Sequence, residues 1–433
     1  MAKLPEGWIV ADLGEFCEGI RGVTYKPDDL AQVNTEKTIT LLRSNNIKAG
    51  ALNFKDVQHV AQKNVNQKQV AQLGDIAVCM SNGSKRLVGK SAAFKYIPEG
   101  RRYTVGSFCS IFRPLESACP VFVEQVFCSD QFQKQVDFSL AGSAINNLKN
   151  SDLITYQFLK PPVPEQQKIA TILSSVDNVI EKTYAQIDKL KDLKTGMMQE
   201  LLTKGIGHTE FKDSPVGRIP EEWSLLVLDD MKTDKKPILR TGPFGSSLKS
   251  KDFQSTGIPV INIQNLGVGR LERENIYFIS KEKATELQGY TVNYGDLVFS
   301  RVADVGRSVV IPEYANGWVM SSNLMRISVD TDRIDPKYLM YQLVNGPAVM
   351  LQLRQMIADG GRPVVTGPLI KQINFPIPPL KEQCSIVKKI DSVDDVLAIN
   401  EEKSVLFSNL KKALMQDLLT GKVRVNLNES TVI

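Results

Sequence analysis

The chain has 433 residues, 42% hydrophobic and 23% charged, with a net charge of +5: room for roughly two to four domains, and only a mild preference for anionic partners. No apolar run approaches the ~20 residues a membrane-spanning helix requires, and Met1-Ala2-Lys3-Leu4-Pro5 lacks the apolar stretch of a secretory signal. Six cysteines, at 17, 79, 109, 119, 128 and 384, form no CxxC pair, which fits a reducing cytoplasm better than a disulfide framework or a zinc site.

Leu4-Pro5-Glu6-Gly7-Trp8 opens the chain. Short β-like runs follow, among them Ile76-Ala77-Val78 and Ser110-Ile111-Phe112, punctuated by Asn82-Gly83, with a helix expected near 120–136. From 161 the pattern changes to PPVPEQQKIATILSSVDNVIEKTYAQIDKLKDLKTGMMQELLT. Apolar residues recur by sevens at Ile169, Val176, Leu190 and Met197, and again at Leu173, Ile180, Ile187 and Leu201, the mark of a coiled-coil seam. The paired prolines suit a helix start and Gly205 a helix end.

The chain then repeats itself. Ile219-Pro220-Glu221-Glu222-Trp223 returns the opening motif, and strand-like Leu297-Val298-Phe299 and Ser308-Val309-Val310-Ile311 follow, with Asn316-Gly317 and Gly360-Gly361 as turns and a helix expected near 335–356. Residues 378–420, PPLKEQCSIVKKIDSVDDVLAINEEKSVLFSNLKKALMQDLLT, match 161–203 without a gap, and Gly421 again follows. Their seams run through Ile386, Val393, Phe407 and Leu414, and through Ile390, Leu397 and Leu418. Polar Thr183 and Asn400 interrupt equivalent positions, where they are expected to fix register. Two copies make a duplication rather than a solenoid, which needs three or more.

The expected architecture is α+β: two pseudo-two-fold-related α/β domains separated by a pair of long antiparallel coiled-coil helices. The boundaries are 1–160, helix 161–205, 206–377, helix 378–421 and a tail 422–433. A helix of about 43 residues is roughly 65 Å long, so the pair could act as a ruler between the domains.

Chemistry is sparse. Gly83-Ser84-Lys85-Arg86-Leu87-Val88-Gly89-Lys90-Ser91 resembles a phosphate-binding loop but carries five residues between its glycines instead of four. His59 and His208 have no metal-ligand spacing, and neither a GxSxG elbow nor an [ND]PP[YF] stretch is present. No active site, cofactor site or metal site is expected in the chain.

Nucleic-acid binding has better support. Arg43, Asn45 and Asn46 recur in the second half as Asn262, Gln264 and Asn265, residue types that bond guanine or adenine edges in pairs. Ser81, Asn82, Ser84, Lys85 and Arg86, and in the second half Arg240, Ser246, Ser247 and Arg301, are candidates for contact with DNA, many of them on small, basic, loop-like stretches suited to phosphate. Ordinary turn chemistry explains any one of them equally well, and recurrence in both halves favours binding.

The twice-repeated order of variable domain, PPxxEQ and heptad helix ending in LLT resembles the specificity subunits of type I restriction–modification systems. The opening Leu4–Trp8 agrees, as does the passage from Leu201-Leu202-Thr203-Lys204-Gly205-Ile206-Gly207-His208 to Ile219–Trp223. The resemblance spans essentially the whole chain. It implies two target recognition domains, each reading half of a bipartite site on double-stranded DNA. It further implies helices that dock two modification (adenine methyltransferase) subunits, with restriction (ATP-dependent translocase and nuclease) subunits joining. S-adenosylmethionine, ATP and Mg would then reside in those partners and none in this chain, which would be non-catalytic and cytoplasmic. The competing reading is a coiled-coil scaffold or adaptor without a DNA role.

Overall fold

A computed structural model describes residues 4–31, 33, 35–48, 50–141, 146–245, 247–267, 269–301, 307–357 and 365–427. Two compact units emerge: Met1–Tyr184 together with Glu402–Ile433, and Ala185–Glu401. Each long helix therefore contributes one half to each unit, and the globular parts do not stand apart from the helices. The reason lies in the cores. Ile169, Ala170, Leu173, Met415, Leu418 and Leu419 share one cluster with Trp8, Phe112 and Phe122. In the second unit Met198, Leu202, Ile386, Val387 and Ile390 share another with Trp223, Phe299 and Tyr338.

The first long helix runs Val163–Lys204 and the second Leu380–Leu419, each unbroken. Inside each unit their halves pass in opposite directions. Asp177 pairs with Lys411 at 2.7 Å in the first unit, and Asp394 with Lys194 at 2.6 Å in the second. These are the same two repeat positions with the helices exchanged. Ile187, Val393 and Leu397 form a seam in the second unit. The expected register pair behaves differently. Thr183 is buried, but its hydroxyl donates to Val179 O of its own helix at 2.7 Å, and the Asn400 amide donates to Val396 O at 2.8 Å. A hydroxyl or short amide on a helix reaches the carbonyl four residues back, so both polar groups are satisfied locally, and the repeated Lys–Asp pairs tie the helices together.

The β part is also built twice. In the first unit, strands Cys17–Arg21, Cys109–Pro114, Ile76–Cys79 and Ser91–Ala93 lie in that order, all antiparallel. A second sheet orders Tyr103–Val105, Thr38–Leu42, Gln58–Ala61 and Leu30–Ala31, its first pair parallel. The second unit repeats this as Leu239–Thr241, Leu324–Ile327, Leu297–Ser300 and Ser308–Val310, beside Tyr277–Ile279, Ile258–Ile261 and Val319–Met320. The expected strands and the helical regions 120–136 and 335–356 are present, each region as two short helices.

Two glycines fix how these sheets turn. A Cβ on Gly22 would lie 2.2 Å from the Gly106 carbonyl oxygen, and one on Gly242 would lie 1.9 Å from that of Ser321. Only a residue without a side chain permits so close a backbone approach.

Candidate nucleic-acid interface

The residues paired by the repeat form one turn made twice. Ser44–Asn46 and Ile263–Asn265 are single 3-10 turns, preceded by Arg43 at φ −112°, ψ 176° and by Asn262 at φ −112°, ψ 172°. Asn46 is 1% exposed and Asn265 fully buried. The Asn46 Oδ1 accepts from Arg43 N at 2.8 Å, and its amide donates to the carbonyls of Asn53 and Lys55, both at 2.9 Å. Asn265 does the same with Asn262 N at 3.0 Å and with Glu272 and Glu274 carbonyls at 3.3 and 3.0 Å. These two asparagines hold the turn from inside. Their amides are consumed by backbone, which corrects the expectation that they face a base.

The turn leaves its neighbours outward. Asn45 donates to Asp56 Oδ2 at 3.2 Å and Gln264 to Asn275 O at 2.9 Å; Asp56 and Asn275 are the two described non-glycine residues with positive φ, at 52° and 53°. Arg43 reaches the Asp56 carboxylate at 3.4 Å, with its side chain 35% exposed.

A second loop lies beside the first. The Asn82 amide donates to Ser44 Oγ at 3.4 Å, Ser84 N donates to Asn82 Oδ1 at 3.0 Å, and Ser81 bridges to Asn147. Lys85 and Arg86 sit exposed on the 3-10 turn Lys85–Leu87. The strand Ser91–Ala93 follows, not the helix of a nucleotide-binding loop. Beneath it, Cys79 and Cys109 lie opposite one another on neighbouring strands. The hydrogen bond between the two thiols holds Cys79 below its usual range and pushes Cys109 up.

In the second unit, Asn262 and Gln264 line an open hollow of about 550 Å³ with Tyr277, Arg307, Ser321 and Asn323. Arg301 follows the strand Leu297–Ser300; its amide donates to Asn323 O at 3.1 Å and its carbonyl accepts from Val365 N at 2.9 Å. Its Nε is buried without a hydrogen-bond partner among the described residues. Arg240 lies apart from this hollow, its guanidinium over the Tyr290 ring at 4.8 Å. Ser247 closes a turn by donating its N–H to Phe244 O at 2.8 Å. Ser246, Gly306, Gly360 and Gly361 lie outside the described residues.

The sequence did not single out Arg21, Ser107, Asn147 and Lys149, which line a hollow of about 350 Å³ in the first unit, nor Tyr277, Ser321 and Asn323. The close approaches at Gly22 and Gly242 mark the strand ends where several of these residues gather, but a glycine alone is too common a signal to find them.

Among the described residues no group of three or more His, Cys, Asp or Glu side chains could hold a metal ion, and no helix is long and apolar enough to cross a membrane.

Two copies of one mixed sheet-and-helix unit, each with polar loops gathered at strand ends and long helices shared between units, define a duplicated recognition subunit. The chain belongs to the family described as type I restriction modification DNA specificity domain, which matches residues 5–192 and 243–405. It is a specificity subunit of a type I restriction–modification system. The type I restriction enzyme MjaVIII specificity subunit of Methanocaldococcus jannaschii is 25% identical over 437 residues, 98% of this chain and 95% of its own. The EcoKI specificity subunit of Escherichia coli strain K12 is 26% identical over 407 residues, 90% of this chain and 83% of its own. Among solved structures, the type I restriction–modification S subunit from M. genitalium superposes with a TM-score of 0.54 at 13% identity, over 96% of this chain and 98% of that one. A chain solved in work on assembly and conformational transition of a type I R-M system gives 0.58 at 17% identity, over 98% and 100%. These two likenesses establish the fold alone.

Proposed function

We propose that each unit reads one half of a bipartite site on double-stranded DNA, and that the long helices set the spacer and dock two modification subunits. The observation that carries this reading is the turn built twice, which presents Arg43 and Asn45 in one unit and Asn262 and Gln264 in the other from backbones of matching geometry. Phosphate contacts from exposed cations such as Lys85 and Arg86 would position each unit, and base-edge contacts would specify. This chain's part is recognition. Adenine methylation with S-adenosylmethionine, and ATP- and Mg-dependent translocation and cleavage, belong on this reading to modification and restriction subunits.

Methylome sequencing of cells that express the chain with its modification partner tests the whole reading. A bipartite methylated motif is expected. Exchange of residues 1–155 for the same region of another specificity subunit should replace one half-site and keep the other, while matched one-turn insertions in 178–195 and the facing part of the second helix should change only the spacer. Replacement of both half-sites, or of neither, would remove the division of labour. Absence of sequence-selective binding by the reconstituted complex would favour the scaffold reading.

A further inference from the structure

Strand register matches a further position of the two candidate reading ends, Phe108 in the first unit and Asn323 in the second. Cys109 pairs with Cys79 and Leu324 with Ser300, so Phe108 and Asn323 precede the same strand position. The backbone around each is pinned alike. The Phe108 carbonyl accepts from Met80 N at 2.8 Å and Ser81 N at 3.1 Å, and the Asn323 carbonyl accepts from Arg301 N at 3.1 Å. The next carbonyl along accepts from a glycine amide in both units, Gly22 N to Cys109 O at 3.0 Å and Gly242 N to Leu324 O at 2.9 Å.

On these fixed backbones both side chains point outward. Phe108 is 66% exposed, beside the loop that carries Asn82, Lys85 and Arg86. The backbone that carries this exposed ring is fixed, so covering it gains hydrophobic free energy at the cost of ordering only the side chain's own torsions. Asn323 is exposed in the hollow shared with Asn262 and Gln264, and its amide has no hydrogen-bond partner among the described residues. An amide with donor and acceptor both unused on a fixed backbone suits the paired acceptor and donor of an adenine edge.

We propose that this position contacts a base in both units: Phe108 by apolar contact with a base or base step of one half-site, Asn323 by amide hydrogen bonds to a base edge of the other. The inference rests on the DNA reading proposed above. Neither side chain is charged, so each would add selectivity without counterion release.

The test uses the full chain assembled with modification subunits, on duplexes carrying the methylome-derived site and every single base-pair substitution of it. Phe108→Ala is expected to weaken binding roughly tenfold and to relax preference in the first half-site only. Asn323→Ala is expected to relax one position of the second half-site by roughly ten- to a hundredfold. Salt slopes and melting temperatures should match the parent protein, and Phe108→Tyr should retain affinity because it keeps the ring. Parent-like base preference in both alanine variants, while the parent complex still reads its bipartite site, would overturn this assignment alone. A lowered melting temperature with unchanged preference would mark a packing role and overturn it equally. A parent complex without selectivity would overturn the DNA reading and this position together.

Discussion

The Trp8 indole N–H donates to Glu165 Oε2 at 2.9 Å across 157 residues of chain, and Trp223 donates to Glu382 Oε2 at 3.2 Å in the second unit. The opening Trp motif and the PPxxEQ motif are therefore two parts of one joint. The following glutamine completes it: Gln166 accepts from Cys119 N at 2.9 Å and Gln383 from Asp335 N at 2.8 Å, and each donates to the first proline carbonyl of its PP pair. Glu165 also pairs with Arg424, while Glu382 meets His208 at 3.0 Å and Ile206 N at 2.9 Å. Thus the chain leaving a long helix is held at the start of the other long helix within each unit. Glu165→Ala would leave a buried indole N–H unpaired, a loss of about 1–3 kcal/mol. Chemical denaturation should register it, as it should for Glu382→Ala; unchanged stability in both would show that the joint is dispensable.

Asn46 and Arg43 should separate fold from recognition. Asn46→Ala removes three hydrogen bonds from a buried turn and is expected to cost roughly 2–3 kcal/mol, with base preference retained in whatever folds. Arg43→Ala removes only a long, partly exposed pair with Asp56 and should leave the melting temperature nearly unchanged. Its effect is expected on DNA binding. Measuring melting and site preference together decides, and a stable Asn46→Ala with altered preference would reverse the two roles.

These cases show why the sequence is legible in some places and silent in others. The Trp–Glu–Gln joint recurs as the same residue types because one buried geometry needs the same hydrogen bonds twice. The asparagine turn is visible as a recurrence, yet the inward aim of its third residue, Asn46 or Asn265, is not, because sequence does not reveal which way a 3-10 turn points each side chain. Phe108 and Asn323 share no chemistry, and the separation between repeats drifts around them, so only strand register brings them into correspondence. The seam positions were readable from seven-residue spacing, but the Lys–Asp ties depend on which helix faces which half of the other.

Gly22 and Gly242 should be intolerant of any side chain. The obstacle in each is a backbone oxygen, which cannot rotate away as a side chain can. Gly242→Ala is expected to cost about 1–3 kcal/mol or more, and Gly22→Ala similarly. Gly83 has open space around its Cβ position, so Gly83→Ala serves as a control within the same kind of loop. Equal melting temperatures for Gly242→Ala and Gly83→Ala would contradict the close approach.

Glu124 offers a pH test confined to the first unit. Burial pushes its carboxyl above the usual carboxylate range, and Lys95 at 3.2 Å offsets only part of that. The raised value means that the folded chain holds this proton after the unfolded chain has released it. Glu124 therefore contributes stability that is fully present below the unfolded value near 4.5 and is lost as pH rises through the higher folded value. Glu124→Gln keeps the shape without the charge and removes that one dependence. The variant's melting temperature relative to the parent should climb as pH goes from 4 toward neutrality, then level off. Carboxylates away from this site contribute the same background to both proteins, so the difference between the two curves reports Glu124 together with the neighbours that feel its charge, Lys95 and Asp177. A difference that stays flat across the range, or falls as pH rises, would show that Lys95 compensates the buried charge in full.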